Sequence, residues 1–214
     1  MRNFSKLAIV VSHEGNDDSD FYEPVVKMSN GSNSVQCSDF ESALGMLPPG
    51  SEVSVIANGT VGNKTVHRLA RVIKEGCVFV ALDLSQVTEL AKVYDSPFQG
   101  NENLREIHFP KNLKSINENA FSRCSNLVTV SIPATCEQIG VHAFAGCEQL
   151  RTINFDDYDG WAAVNAEKQS LSIDNLSVPD ENPSKFVFRT GAYYDCQLMK
   201  SGQKASQKDF EGSS

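Results

Sequence analysis

Residues 103–125, NLREIHFPKNLKSINENAFSRCS, superimpose on residues 126–148, NLVTVSIPATCEQIGVHAFAGCE, at an offset of 23, and QLRTINFDD begins a third copy. The matched positions are Leu104/Leu127/Leu150, Ile107/Val130/Ile153, Phe109/Ile132/Phe155, Pro110/Pro133, Ile116/Ile139, Ala120/Ala143, Phe121/Phe144 and Cys124/Cys147. What recurs is apolar; what varies is mostly polar or charged. A period of this length predicts a stack of similar units that share one hydrophobic spine, because a single unit cannot bury its own apolar face. Such a chain repeats its core and varies its surface, which points to presentation of a binding surface rather than to a reaction.

The period can be followed upstream. EVSVIA (52–57) has the β-branched alternation of a strand, and CVFVALDLSQVTELAKVYDSPFQGNENL reads as a lengthened copy in which Leu82, Leu84 and Phe98 match Ile107, Phe109 and Phe121. With Val55, Leu82, Ile107, Val130 and Ile153 as equivalents, the spacings are 27, 25, 23 and 23. Early coils are therefore larger, with room for helices. Ser38-Asp39-Phe40-Glu41 is a capping-box signature, and Phe40, Ala43, Leu44 and Leu47 share a face, so a helix is expected over 39–46 before Pro48-Pro49-Gly50. A second helix is expected over 64–74, with Val66, Leu69, Ala70 and Ile73 on its apolar stripe and Gly76 at its end. Later coils are too short for helices, and NENAF and VHAFAGC are expected to make irregular or 3-10 turns.

Residues 7–12 and 24–28 read as two short strands of an N-terminal cap over 1–34, and a strand at 35–37 is expected to begin a core of about six coils over 35–156. After Phe155 the pattern fails. Trp161, Phe186, Phe188, Tyr193 and Tyr194 mark a C-terminal cap over 157–199, needed because a final coil left open would expose a sheet edge and a slice of core. From about Lys200 the chain is polar and expected to be disordered.

The combination LxxIxFPxxLxxIxxxAFxxC, in which seven of 23 positions are identical between the two adjacent copies, resembles the treponemal, or BspA-like, subfamily of leucine-rich repeats. The capped helix ending in LPPG, the FVALDLSQVTEL segment and Gly160-Trp161 carry the likeness over about residues 35–196. The resemblance implies a right-handed α/β solenoid with one short parallel strand per coil and no catalytic function. Members of the family are commonly surface or secreted proteins that contact host or matrix proteins.

Composition narrows the partners. A net charge of -8 and a pI near 5.0, with no local Lys/Arg cluster, oppose phosphate backbones, so nucleic acid is not an expected partner. No run approaches the roughly 20 apolar residues of a membrane span. The N-terminal apolar run is shorter than the about 7–15 residues of a secretory core. A complete chain would then be cytoplasmic or periplasmic. The six cysteines lack a CxxC, and Cys124 and Cys147 fall at one repeat position, where a thiol packs as a small core residue, so free thiols are expected.

Alternation along each strand sends Ile107 and Phe109 inward and their neighbours outward. The outward positions form two rows: Ala81, Glu106, Thr129, Thr152, and Asp83, His108, Ser131, Asn154, with Arg105 and Arg151 at the margin. These polar positions are the expected protein-binding strip. Six strands of three or four residues give a face on the order of 300–400 Å². That is below the about 800 Å² each partner contributes to a standard interface, so flanks or caps must take part. A second reading places a small hydrophobic molecule where large and small coils meet, against Phe79, Val93, Tyr94 and Phe98, with the aromatic cap residues as another lining. No cofactor is expected. Residues 58–65 lack the glycine before lysine of a phosphate loop, residues 156–160 lack the register of a calcium loop, and His13, His67, His108 and His142 are scattered without metal-ligand spacing. No nucleophile elbow is present.

Overall fold

The computed structural model describes residues 7–13, 25–30, 33–37, 40–94, 96–173 and 175–201, the first three segments as backbone. The elements run β1 (Leu7–His13), β2 (Val25–Asn30), β3 (Asn33–Cys37), α1 (Phe40–Gly45), β4 (Glu52–Thr60), α2 (Asn63–Glu75), β5 (Phe79–Thr88), β6 (Lys92–Val93) and β7 (Leu104–His108). They continue with β8 (Ser115–Ile116), β9 (Thr129–Ile132), β10 (Gln138–Ile139), β11 (Thr152–Phe155), β12 (Trp161–Val164), β13 (Ser170–Ser172), α3 (Pro183–Phe186) and β14 (Gln197–Lys200). Two sheets enclose the core. The larger has the order β11-β9-β7-β5-β4-β1-β2-β3 and the smaller β13-β12-β14-β10-β8-β6.

From β11 to β1 every pairing in the larger sheet is parallel. Its register matches Val55 to Leu82, Leu82 to Ile107, Ile107 to Val130 and Val130 to Ile153, as the sequence periodicity requires. All five side chains are buried. The uneven early spacing has a local cause. Val93, Ile116 and Ile139 keep the 23-residue interval in the smaller sheet, as do the rings Phe98, Phe121 and Phe144. The extra length lies upstream of Leu90, in the ten-residue strand β5.

Repeats also meet in their turns. Phe98 and Phe121 stack with centroids 5.0 Å apart and planes 10° from parallel, Phe121 and Phe144 at 5.7 Å and 17°, and Phe109 meets Phe121 edge-on at 5.6 Å. Backbone bonds run between these turns, from Phe121 N to Ala143 O at 2.9 Å and from Gly100 N to Ser122 O at 2.8 Å. The Cys124 thiol donates to Phe98 O at 2.9 Å and the Cys147 thiol to Phe121 O at 3.0 Å. Cys77, Cys124, Cys136, Cys147 and Cys196 are free thiols. No helix forms in the later turns, which instead pass through left-handed backbone at Ser96, Asn119 and His142 and again at Gly100, Arg123 and Gly146.

Helix α2 buries Val66, Leu69, Ala70, Val72 and Ile73 against the sheet, and α1 buries Phe40, Ala43 and Leu44. The expected cap residue Ser38 lies outside the described residues. The N-terminal segment differs from expectation. β3 pairs antiparallel with β2 at the end of the sheet, so 35–37 does not begin a parallel coil, while β1 lies parallel beside β4 and belongs to the continuous sheet.

At the other end, the edge of β11 is answered by side chain and loop. Ile153 N donates to Pro179 O at 3.1 Å, and the buried Asn182 amide donates to Ile153 O and Leu176 O, both at 3.0 Å. The smaller sheet is extended antiparallel by β14, β12 and β13. Lys200, expected to open the disordered tail, is instead the last residue of β14; its Nζ reaches Asp157 Oδ2 at 2.8 Å and Ala134 O at 2.9 Å.

Truncating the central ring of the stack should be costly and relieving a left-handed arginine should not. Phe121→Ala is expected to lose about 3–5 kcal/mol of stability. Arg123→Gly, at a position that is glycine in both neighbouring repeats, is expected to gain up to about 1 kcal/mol. Urea unfolding midpoints of the two variants measure both.

Candidate functional site

The outward rows expected from alternation are continuous across the strands. Ala81, Glu106, Thr129 and Thr152 are neighbours in register, as are Asp83, His108, Ser131 and Asn154. His108 is exposed, Ala81 is buried between its neighbours, and the other six are half-buried. The rows reach one strand further, because Ser54 pairs with Ala81 and Ile56 with Asp83 on β4. The alignment of Val55 with Leu82 already contained that extension. The face is also longer at this end than three or four residues per strand, since β4 has nine residues and β5 ten.

Local bonds fix several of these groups. Asp83 Oδ1 accepts from Ser85 N at 2.8 Å, Glu106 Oε2 lies 4.0 Å from His108 Nε2, and Thr152 Oγ1 donates to Asp180 Oδ1 at 3.0 Å, tying the last strand to the cap. Beside the rows, the pairing of β5 with β7 shifts register between Val80 and Ala81, opposite Leu104 and Glu106. Arg105 is the extra residue, and its guanidinium carbon lies 3.9 Å above the Phe79 ring centroid.

The four residues expected to line an apolar ligand groove do not offer one surface. Val93 and Phe98 are fully buried, Phe98 within the ring stack, and Phe79 carries Arg105 on its face; Tyr94 alone of the four is exposed. The junction between large and small coils is bridged by side-chain amides. Asn101 Nδ2 reaches Ala70 O at 2.9 Å, and Asn103 Nδ2 reaches Ile73 O at 2.9 Å and Gly76 O at 2.8 Å, so α2 is bonded to the next repeat.

A small cavity does lie against the C-terminal cap, among Ile139, Phe144, Phe186, Tyr193, Cys196 and Leu198. The space open to a water's centre is about 10 Å³, room for a single water and not for a lipid chain. At its rim His142 Nε2 lies 2.7 Å from Asp195 Oδ1 and the imidazole packs on Tyr194 at 4.6 Å. Burial, then the charges of Asp195 and Glu167, push the Cys196 thiol up. Burial also pushes Cys136 up to about 11. Thiols held protonated in this way are poor nucleophiles. Among the described residues no three His, Cys, Asp or Glu side chains gather to hold a metal. The acidic run 156–160 is a turn: Asp157 Oδ1 accepts from Asp159 N at 3.0 Å, and Trp161 Nε1 donates to Asp157 O at 3.0 Å.

Parallel strands whose inward leucine, isoleucine and phenylalanine recur at one interval, joined by turns that stack an aromatic ring and a thiol, define a leucine-rich repeat protein. A model of the BspA type leucine rich repeat region, in 6 copies, matches residues 75–200. More than half of the chain falls within that match, and the chain belongs to this family. Repeat regions of this family are generally non-enzymatic modules. No curated protein matches the sequence. Among the described residues no helix is long and apolar enough to cross a membrane.

The Lys200 contact with Asp157 has a pH signature. The lysine hydrogen bond, helped by Asp159 N, holds the Asp157 carboxyl below its ordinary value of 3.8. A carboxyl lowered by folding stabilises the fold above its unfolded value, and that contribution is lost as pH falls through the lowered folded value. Acid should therefore loosen the cap first. The thermal midpoint followed by Trp161 fluorescence is expected to drop between about pH 5 and pH 2, and Lys200→Met should remove part of that slope.

Proposed function

We propose that this chain is a non-enzymatic protein-interaction module that binds its partner on the outer face of the larger sheet, through Asp83, Glu106, His108, Thr129, Ser131, Thr152 and Asn154. The observation that supports this most is the in-register pair of rows: every outward polar residue has at least one buried apolar neighbour along the chain, so the face is held rigid while its composition varies from strand to strand. Rigid placement limits the entropy lost on binding. On this reading the stacked repeats form a solenoid of about six coils, and its long early strands supply the area that the short later ones lack. Membership of a family whose repeat regions suggest protein binding agrees with it. A role in attachment to host or matrix components is the extension that the family resemblance suggests.

The test is capture of partners from a source-matched lysate by wild type and by a His108→Ala/Ser131→Arg double variant, quantified by mass spectrometry. The variant should keep its circular dichroism and lose most of the proteins that wild type captures. Identical capture by the two would remove the sheet face as the binding surface. Immobilised matrix proteins in the same comparison address attachment.

A further inference from the structure

Arg105 is the cation on this face with an unexplained donor. The shift in pairing between β5 and β7 makes it the extra residue of a bulge, and bulges re-aim the side chain they carry. Its guanidinium carbon lies 3.9 Å over the Phe79 ring, yet Nε is buried and has no hydrogen-bond acceptor, and among the described residues no carboxylate pairs with the group. Its chain neighbour Glu106 points instead toward His108. A donor that has left water without finding an acceptor is destabilising until an acceptor arrives. Arg105 remains half-exposed as a residue, so part of its side chain beyond the buried Nε meets solvent. A guanidinium held over a ring can still present its Nη donors in one plane, and the group that matches that planar fork is a carboxylate.

The repeat supplies a second cation at a set distance. Arg105 within β7, Val128 just before β9 and Arg151 just before β11 occupy one repeat position, joined by bonds from Val128 N to Arg105 O at 2.8 Å and from Arg151 N to Val128 O at 2.9 Å. Arg151 is exposed and Val128 half-buried between the two. Two strand spacings place the arginine backbones about 10 Å apart. A polyproline-type extended peptide rises about 3.1 Å per residue and repeats its side-chain direction every third residue, so its positions i and i+3 lie about 9 Å apart on one side.

We propose that this row is a recognition site for an acidic peptide segment of a protein partner, with two carboxylates three residues apart, the first on Arg105 and the second on Arg151, and apolar residues between them over Val128. The site specifies the chemistry of the partner and rests on the reading of the outer face as the binding surface. The chain's own charge of -8 makes the pairing selective, since acidic segments that miss the two arginines meet net repulsion.

The probe is the peptide acetyl-Gly-Glu-Pro-Pro-Glu-Gly-amide, with its Gln-Pro-Pro-Gln counterpart as control, titrated into the isotope-labelled full chain. Saturable movement of the Arg105 Nε–Hε resonance by the glutamate peptide is expected, with binding about tenfold weaker for the glutamine peptide. Arg105→Lys keeps the charge but loses the stacked fork, and should weaken binding about fivefold. Equal binding of the two peptides, unchanged affinity in Arg105→Lys or Arg151→Gln, or no saturable shift would each overturn the site. Because the probe is a defined peptide, this result is independent of lysate capture: the face variant can lose partners while the peptide fails, which sinks the acidic site alone, and unchanged capture with peptide binding sinks the wider face alone.

Discussion

Everything in this molecule depends on equivalent side chains meeting across repeats. One repeat is a strand of four or five residues, a two-residue strand behind it and a turn, too thin to exclude water from its own leucines. Only when Phe121 is covered on one side by Phe98 and on the other by Phe144, and Ile107 by Leu82 and Val130, does each side chain become buried. The coupling is between nearest neighbours, so a defect in one repeat opens two interfaces, while repeats further away keep their contacts. The stack must then be closed at both ends. Asn182 and Pro179 close it at β11, and α2 with its bonded asparagines closes the turn side at the start.

The parallel core was legible because in-register contact demands the same kind of residue at the same place, and five matched positions were enough to set the pairing from β4 to β11. The N-terminal strands were not, because a short apolar alternation gives the faces of a strand without its direction. Direction comes from the connection: two residues between β2 and β3 leave room for a hairpin and none for a parallel crossover. The pair between the two strands, Gly31-Ser32, is a two-residue hairpin signal in the sequence and held that information. The smaller sheet was hidden for a different reason. Strands of two residues such as β8 and β10 are shorter than any periodicity and exist because the stack repeats them.

The outward rows were readable from alternation alone, and the structure extends them by a strand. The apolar groove was not to be found where Phe79, Val93, Tyr94 and Phe98 were placed, since a change in repeat size need not leave a gap when the backbone absorbs it in one long strand. The role of Arg105 was hidden in a count. Val80 and Leu82 are two residues apart and Leu104 and Ile107 three, so the paired strands carry different numbers of residues between the same buried positions. A bulge is the physical form of that mismatch.

The polar substitutions in the repeat explain how the two coil types join. Cys124 and Cys147 each send a thiol to a carbonyl one repeat earlier, and one repeat before Cys124 the same position holds Asn101. There the preceding unit is no longer a tight turn but helix α2. The carbonyl that Asn101 reaches is Ala70 O, more than a turn before the helix end, which takes this side-chain donor on its second lone pair beside the helix's own bonding. A thiol offers one weak donor on a short arm; an amide reaches further and can also accept, as Asn101 Oδ1 does from Asn103 N at 3.3 Å. Asn101 is fully buried, a placement that would be destabilising without both partners. The change from cysteine to asparagine therefore marks the boundary between helical and turn-built repeats: only in register with α2 are the donor and the acceptor both satisfied, so slipping the stack by one repeat would leave a buried amide with nothing to bond.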